Sequence, residues 1–155
     1  MAGWYRKIVS SLDNLPDCMD HFLTELEWAK KNDLSLKGSR LENLSAELPG
    51  VVEQRYNQLQ EIEAILEYLN VELLRLRSNK FRQFLEKYQR ALSSRDADKY
   101  VDGDSDVVDM AVLINEFSLL RNQWLGLLKA IETKNFQVNN IVKLRCAGLD
   151  DATVH

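Results

Sequence analysis

Residues 51–94 read VVEQRYNQLQEIEAILEYLNVELLRLRSNKFRQFLEKYQRALSS, more than forty residues without a proline or a glycine. At about 1.5 Å per residue this predicts a helical rod of roughly 65 Å, far longer than an ordinary globular helix. Its middle carries a heptad seam, Leu59, Ile62, Leu66, Leu69, Leu73 and Leu76, spaced alternately by three and four. The next apolar set, Phe81, Phe84, Leu85, Tyr88 and Leu92, starts after a step of five. That step turns the apolar stripe around the rod, so the surface it packs against is expected to change there. The basic residues gather at the same point: Arg75, Arg77, Lys80, Arg82, Lys87, Arg90 and Arg95 stand against the single acid Glu86. Residues 75–95 thus carry a formal charge of +6 in a chain of −4, which leaves −10 for everything else.

The rest of the composition fits an extended helical protein. In 155 residues there are 6 Gly and 2 Pro, and 28% are charged, a profile that argues against a sandwich or barrel. One domain is expected, of a size at which long helices usually need partners. The acidic balance disfavours indiscriminate nucleic-acid binding while leaving room for a local basic site. Cys18 and Cys146 lie far apart without paired histidines, so free thiols in a reducing compartment are expected rather than a disulfide framework or a zinc site. The N-terminus lacks the apolar core of a signal peptide, and no apolar run approaches a membrane span, which points to the cytosol.

Outward from the rod, residues 1–14 carry no convincing pattern and read as a mobile end. A helix is expected from Asp13 or Asn14 to about Lys31, with Pro16 in its first turn and Met19, Phe22, Leu23, Leu26 and Ala29 along one face. Asn32 to Gly38 reads as a linker. Ser39 and Glu42 fit a capping box for a short helix through Leu48, which Pro49-Gly50 ends or kinks into the rod.

Beyond Ser94 comes an acidic connector, Asp96 to Asp109. Asp102, Asp104 and Asp106 alternate as calcium-loop ligands do, but Val107 stands where that loop needs glycine and Leu113 where it needs a bidentate Glu. Helix initiation explains these carboxylates better. A helix over about 105–134 follows, with Val107, Met110, Ile114, Phe117, Arg121, Trp124, Leu128 and Ile131 in heptad spacing and Leu113, Leu120 and Leu127 on its flank. So apolar a helix should touch more than one neighbour, and Arg121 is the polar seam residue that sets register or oligomer state. Lys134-Asn135 then breaks the pattern, and Asn135 caps a last helix carrying Val138, Ile141, Val142 and Leu144 that ends at Gly148.

No catalytic constellation emerges. The histidines are His21 and His155, and there is no Gly-rich phosphate loop, HExxH or CxxC, so neither an enzyme nor a cofactor or metal is expected. The basic island is more informative. Its cations lack the acids of ordinary i,i+4 pairing, and Arg77, Lys80 and Arg82 flank Phe81 and Phe84, combining phosphate partners with stacking faces as single-strand binders do. Phe81, Phe84 and Tyr88 also fit a helix seam, so core packing is the competing reading.

The order of these features resembles the UvsY family, recombination mediators of T-even phages and their relatives. The likeness covers roughly residues 40–148. It is carried by Leu48-Pro49-Gly50, the helix after it with its Lys/Arg-rich end, Lys99-Tyr100-Val101-Asp102-Gly103-Asp104-Ser105-Asp106, and Lys134-Asn135-Phe136-Gln137-Val138-Asn139-Asn140-Ile141 before Leu144-Arg145. The resemblance implies a small helical ring-former in the cytoplasm of a phage-infected cell. Such a protein binds single-stranded DNA, remodels the single-strand binding protein and loads a recombinase. It also implies DNA contacts over Arg75 to Arg82 and assembly through about Asp106 to Arg145. The chain departs from the family in residues 1–38 and in the ending Cys146-Ala147-Gly148-Leu149-Asp150-Asp151.

The expectation is therefore an all-α protein of long hairpin or coiled-coil-like helices, assembling into an oligomeric bundle or ring. Residues 1–38 form an extension with one helix, 39–148 the mediator-like domain and 149–155 a tail. Arg75, Arg77, Lys80, Arg82, Lys87 and Arg90 are the candidate DNA contacts. Ile114, Phe117, Arg121, Trp124, Leu128, Ile131, Phe136 and Ile141 are the candidate assembly residues. The competing expectation is a structural or adaptor coiled coil, such as a phage assembly component, whose basic face meets an acidic protein. In that reading the segment Asp96 to Asp109 can itself satisfy the cations, in cis or across subunits.

Overall fold

The computed structural model describes residues 3–36, 40–87 and 93–148, which form five α-helices and no strand. Helix α1 spans Gly3–Ser10, α2 Leu15–Asn32, α3 Leu41–Lys87, α4 Ser94–Gly103 and α5 Ser105–Cys146, and a 3-10 turn at Leu12–Asn14 joins α1 to α2. The all-α expectation holds. The capping box expected at Ser39, the residues Tyr88, Arg90 and Leu92, and the tail 149–155 lie outside the described residues.

Helices α3 and α5, of 47 and 42 residues, run antiparallel and form the frame. The start of α5 meets α3 at Lys80, and Asn135 shares a groove with Leu48, Pro49, Val52 and Tyr56 near the other end of α3. The α3 seam follows the expected stripe, with Leu44, Leu48, Leu59, Ile62, Leu66 and Leu69 all buried. It also continues through Pro49, which lies inside α3 instead of ending a separate helix. An interior proline costs about 3 kcal/mol, and burying Leu44 and Leu48 on the same face as Leu59 offsets that cost.

Helix α5 is likewise continuous where a break was expected after residue 134. Lys134 is buried, and its Nζ donates to the backbone carbonyl of Asp33 at 2.7 Å, while Val138 continues the core one turn on. Burial holds the Lys134 pKa below the usual lysine range. The helix ends as expected, with Gly148 at φ 86°, a left-handed conformation that suits glycine.

Residues 1–14 are not a loose end. Ile8 is buried in the same core as Leu15, Phe22, Ile62 and Trp124. The backbone N–H groups of Trp4 and Tyr5 donate to Glu61 Oε1 of α3 at 2.7 and 3.0 Å, so a carboxylate from another helix caps α1. Asn14 Nδ2 donates to the Lys7 carbonyl at the other end of α1. Helix α2 then lays Leu15, Cys18, Phe22, Leu26 and Ala29 onto the hairpin, with Phe22 edge-on to Trp124.

One buried cation fixes the register of three helices. Arg55 of α3 donates from Nε to Asp33 at 2.7 Å and from Nη1 to Glu25 and Gln58, both at 2.8 Å. Its guanidinium lies 5.4 Å from the Trp28 ring centroid and 5.9 Å from that of Trp124. The Arg55 hydrogen bond, the largest influence on Glu25, holds that carboxyl below the ordinary glutamate range.

Candidate nucleic-acid interface

The cationic end of α3 forms the tip of the hairpin, where α4 and the first turn of α5 fold back against it. Ser93 caps α4 by accepting from Asp96 N, and Asp104 caps α5 by accepting from the backbone N–H groups of Asp106 and Val107. The acidic connector thus starts helices, as expected, and Asp104 alone links α4 to α5. Only Ala97 and Val101 of α4 are buried. The shift of the stripe after Leu76 matches this change of neighbour, since Phe81 lines a shallow groove with Arg77, Ser78, Asp98 and Val101.

At this tip the carboxylates also answer the cations in cis. Arg77 Nη2 lies 2.7 Å from Asp102 Oδ1, and Lys80 Nζ lies 2.9 Å from Asp106 and 3.5 Å from Asp104. The Asp106 hydrogen bond is the largest cause of a raised Lys80 pKa, so Lys80 stays charged. Arg75 pairs with Glu72 one turn back along α3 at 2.8 Å. Arg82 and Lys87 are exposed and make no ion pair among the described residues. Arg90 lies outside the described residues. The six candidate DNA contacts therefore divide into three paired cations, two free ones and one without a described position.

The aromatic residues are engaged within the chain. Phe84 stacks on Tyr100 of α4 with centroids 5.6 Å apart and planes 29° from parallel, and Phe81 is half-buried beside α4. The stack occupies one face of Phe84, and Phe81 keeps part of its ring in the groove.

The candidate assembly residues are mostly consumed by the monomer. Ile114, Phe117, Trp124 and Ile131 belong to the chain's own core, and Leu128 packs against it. Arg121 is half-buried, with Nη2 donating to Asn122 at 3.3 Å and Nε without a protein partner. Ile141 is half-buried, while Phe136 is 69% exposed. A stripe of apolar residues shows that a helix is covered, not by what. Here α2, α3 and α4 cover α5. The large apolar residues left outside on α5 are Val108, Val112, Leu119, Leu125, Phe136, Val142 and Leu144, none of them on the heptad seam.

Among the described residues no group of three or more His, Cys, Asp or Glu is arranged to hold a metal ion, and no helix is long and apolar enough to cross a membrane. Fold and tip together define an all-α hairpin protein with a largely charge-compensated basic end. Compared with protein-family models, with curated proteins and with solved structures, the chain matches none.

Proposed function

We propose that this protein binds single-stranded nucleic acid through the backbone phosphates, using the cationic end of α3, and serves as a recombination mediator. The observation that carries the reading is the concentration of Arg75, Arg77, Lys80, Arg82 and Lys87 within four turns of one helix, with Arg82 and Lys87 exposed and free of carboxylates among the described residues. Phosphate contact of this kind carries no sequence preference. With Phe84 stacked on Tyr100, binding rests on charge rather than on base stacking. In this role the protein works as a homo-oligomer that multiplies a weak site by avidity. Its assembly surface then lies on the outside of α5, at Val108, Val112, Leu119 and Phe136. A single-strand binding protein and a recombinase are the partners the role requires.

Fluorescence anisotropy with a labelled single-stranded oligonucleotide, at two salt concentrations and against a duplex competitor, tests the reading. Arg82 and Lys87 alone give a log–log salt slope of about −1.4 per protomer, and all five cations about −3.5, on the basis of about −0.7 per phosphate neutralised. Binding that prefers the single strand and falls with salt is expected, and Arg77→Ala with Lys80→Ala should weaken it and flatten the slope. No binding at low salt removes the reading. A specific observation then favours the second one, an adaptor or structural helical protein: Arg77 and Lys80 already have carboxylate partners inside the chain.

A further inference from the structure

The internal ion pairs at the tip raise the question of why they are there. Asp102 sits in the last turn of α4, the negative end of the helix dipole, where a carboxylate is unfavourable. Helix formation therefore does not explain it, and its position 2.7 Å from Arg77 does. Asp106 lies on the first turn of α5 and reaches Lys80 at 2.9 Å, although Asp104 already caps that helix. Three carboxylates thus surround two cations, and this corner carries a net charge of −1 in the middle of a basic helix end. Helix α4 buries only Ala97 and Val101, both small, and Asp104 alone links it to α5.

We propose that Asp102 and Asp106 act as a built-in competitor for the strand: they occupy Arg77 and Lys80 in place of backbone phosphates and are displaced when a single strand binds. The inference rests on the strand-binding reading and adds its regulation. Arg82 and Lys87 make the first contact. The strand then exchanges phosphates for the two carboxylates, and α4 swings away about Gly103. Short or isolated anions, which cannot hold on at Arg82 and Lys87 while they compete, are rejected, so the corner selects for a polyanion. Pairs as exposed as these contribute little each, which leaves them open to exchange.

The test is Asp102→Asn with Asp106→Asn in the full chain, leaving the Asp104 cap intact, compared with Asp17→Asn with Asp20→Asn, two exposed positions on α2 that give the same change in net charge. Circular dichroism first establishes that each variant keeps its helix content and unfolding midpoint. If the corner competes, the tip variant binds a labelled single strand about 2- to 30-fold tighter than the wild type, the range set by losing two exposed pairs. It also shows a steeper salt dependence, while the α2 variant stays within about twofold. Wild-type binding that is unchanged in the tip variant, or raised equally in both variants, overturns the competitor and leaves strand binding standing. No binding by any of the three proteins overturns strand binding itself, and the competitor with it. Should the tip variant unfold, the single Asp102→Asn change, outside both caps, carries the same comparison with about half the logarithmic effect.

Discussion

Replacing Arg55 with methionine keeps most of its length and removes its charge, which leaves a specific debt at Asp33. The Asp33 side chain is 8% exposed and loses a 2.7 Å charged hydrogen bond, and Glu25 and Gln58 lose theirs at 2.8 Å. Glu25 is 34% exposed at its side chain and finds water, so most of the loss falls on Asp33. Breaking one side of a buried pair costs about 3–5 kcal/mol, a fifth or more of the roughly 5–15 kcal/mol that stabilises an ordinary domain. Urea unfolding followed by circular dichroism at neutral pH should show that loss as a lower midpoint with an unchanged slope.

Adding Asp33→Asn removes the buried charge and should recover at least half of the loss at neutral pH, because the backbone carbonyl that receives Lys134 is untouched. A methionine variant within about 1 kcal/mol of wild type, or a double variant no better than the single one, would refute the claim that a buried, partnered charge fixes this junction.

Three further outcomes follow from other residues. Glu61→Gln should loosen α1 by about 1 kcal/mol, the typical worth of a cap, and hydrogen exchange should quicken at Trp4 and Tyr5 while the α3–α5 core stays protected. Glu25, held below the ordinary glutamate range by Arg55, contributes stability that is fully present above its unfolded pKa of about 4.3 and is lost as pH falls through the folded one. Glu25→Gln should therefore flatten the acid limb of stability against pH below about 4.3, and an unchanged limb would place the proton uptake elsewhere. Burial, helped by Glu61, pushes the Cys18 thiol up to about 12, whereas Cys146 is exposed. A thiol reagent at pH 8 should thus label one cysteine in the folded protein and two in denaturant, with Cys146 the one found by mass spectrometry.

Local periodicity made the frame legible. Leu59, Ile62, Leu66 and Leu69 mark the buried face of α3, and the five-residue step after Leu76 falls where α4 joins α5 as its neighbour. What escaped depends on residues distant in sequence. Nothing within residues 1–14 announces α1, because its cap is Glu61, 57 residues away. Lys134 looks like a polar interruption until its partner, the Asp33 carbonyl 101 residues earlier, is known. Pro49 looks like a boundary because propensity counts the proline and not the core that spans it. Phe117, Trp124 and Ile131 advertise a covered face, and only the fold shows that α2 and α3 supply the cover. At the tip, the cations and the acids were each visible. Their pairing was an open alternative because it depends on α4 folding back, which no spacing encodes.

The bond between Lys134 and the Asp33 carbonyl also orders events on the ribosome. Helix α2 leaves the exit tunnel early, yet its final seat requires α5 to be complete through residue 134. Until then Phe22 and Leu26 of α2 and the long seam of α3 have no α5 to pack on, and both are open to water. Synthesis at about 5–20 residues per second makes that interval several seconds long. A nascent chain stalled before residue 134 would therefore be a substrate for chaperones rather than a smaller folded protein, and the 42 residues of α5 are what turn an exposed pair of helices into a closed core.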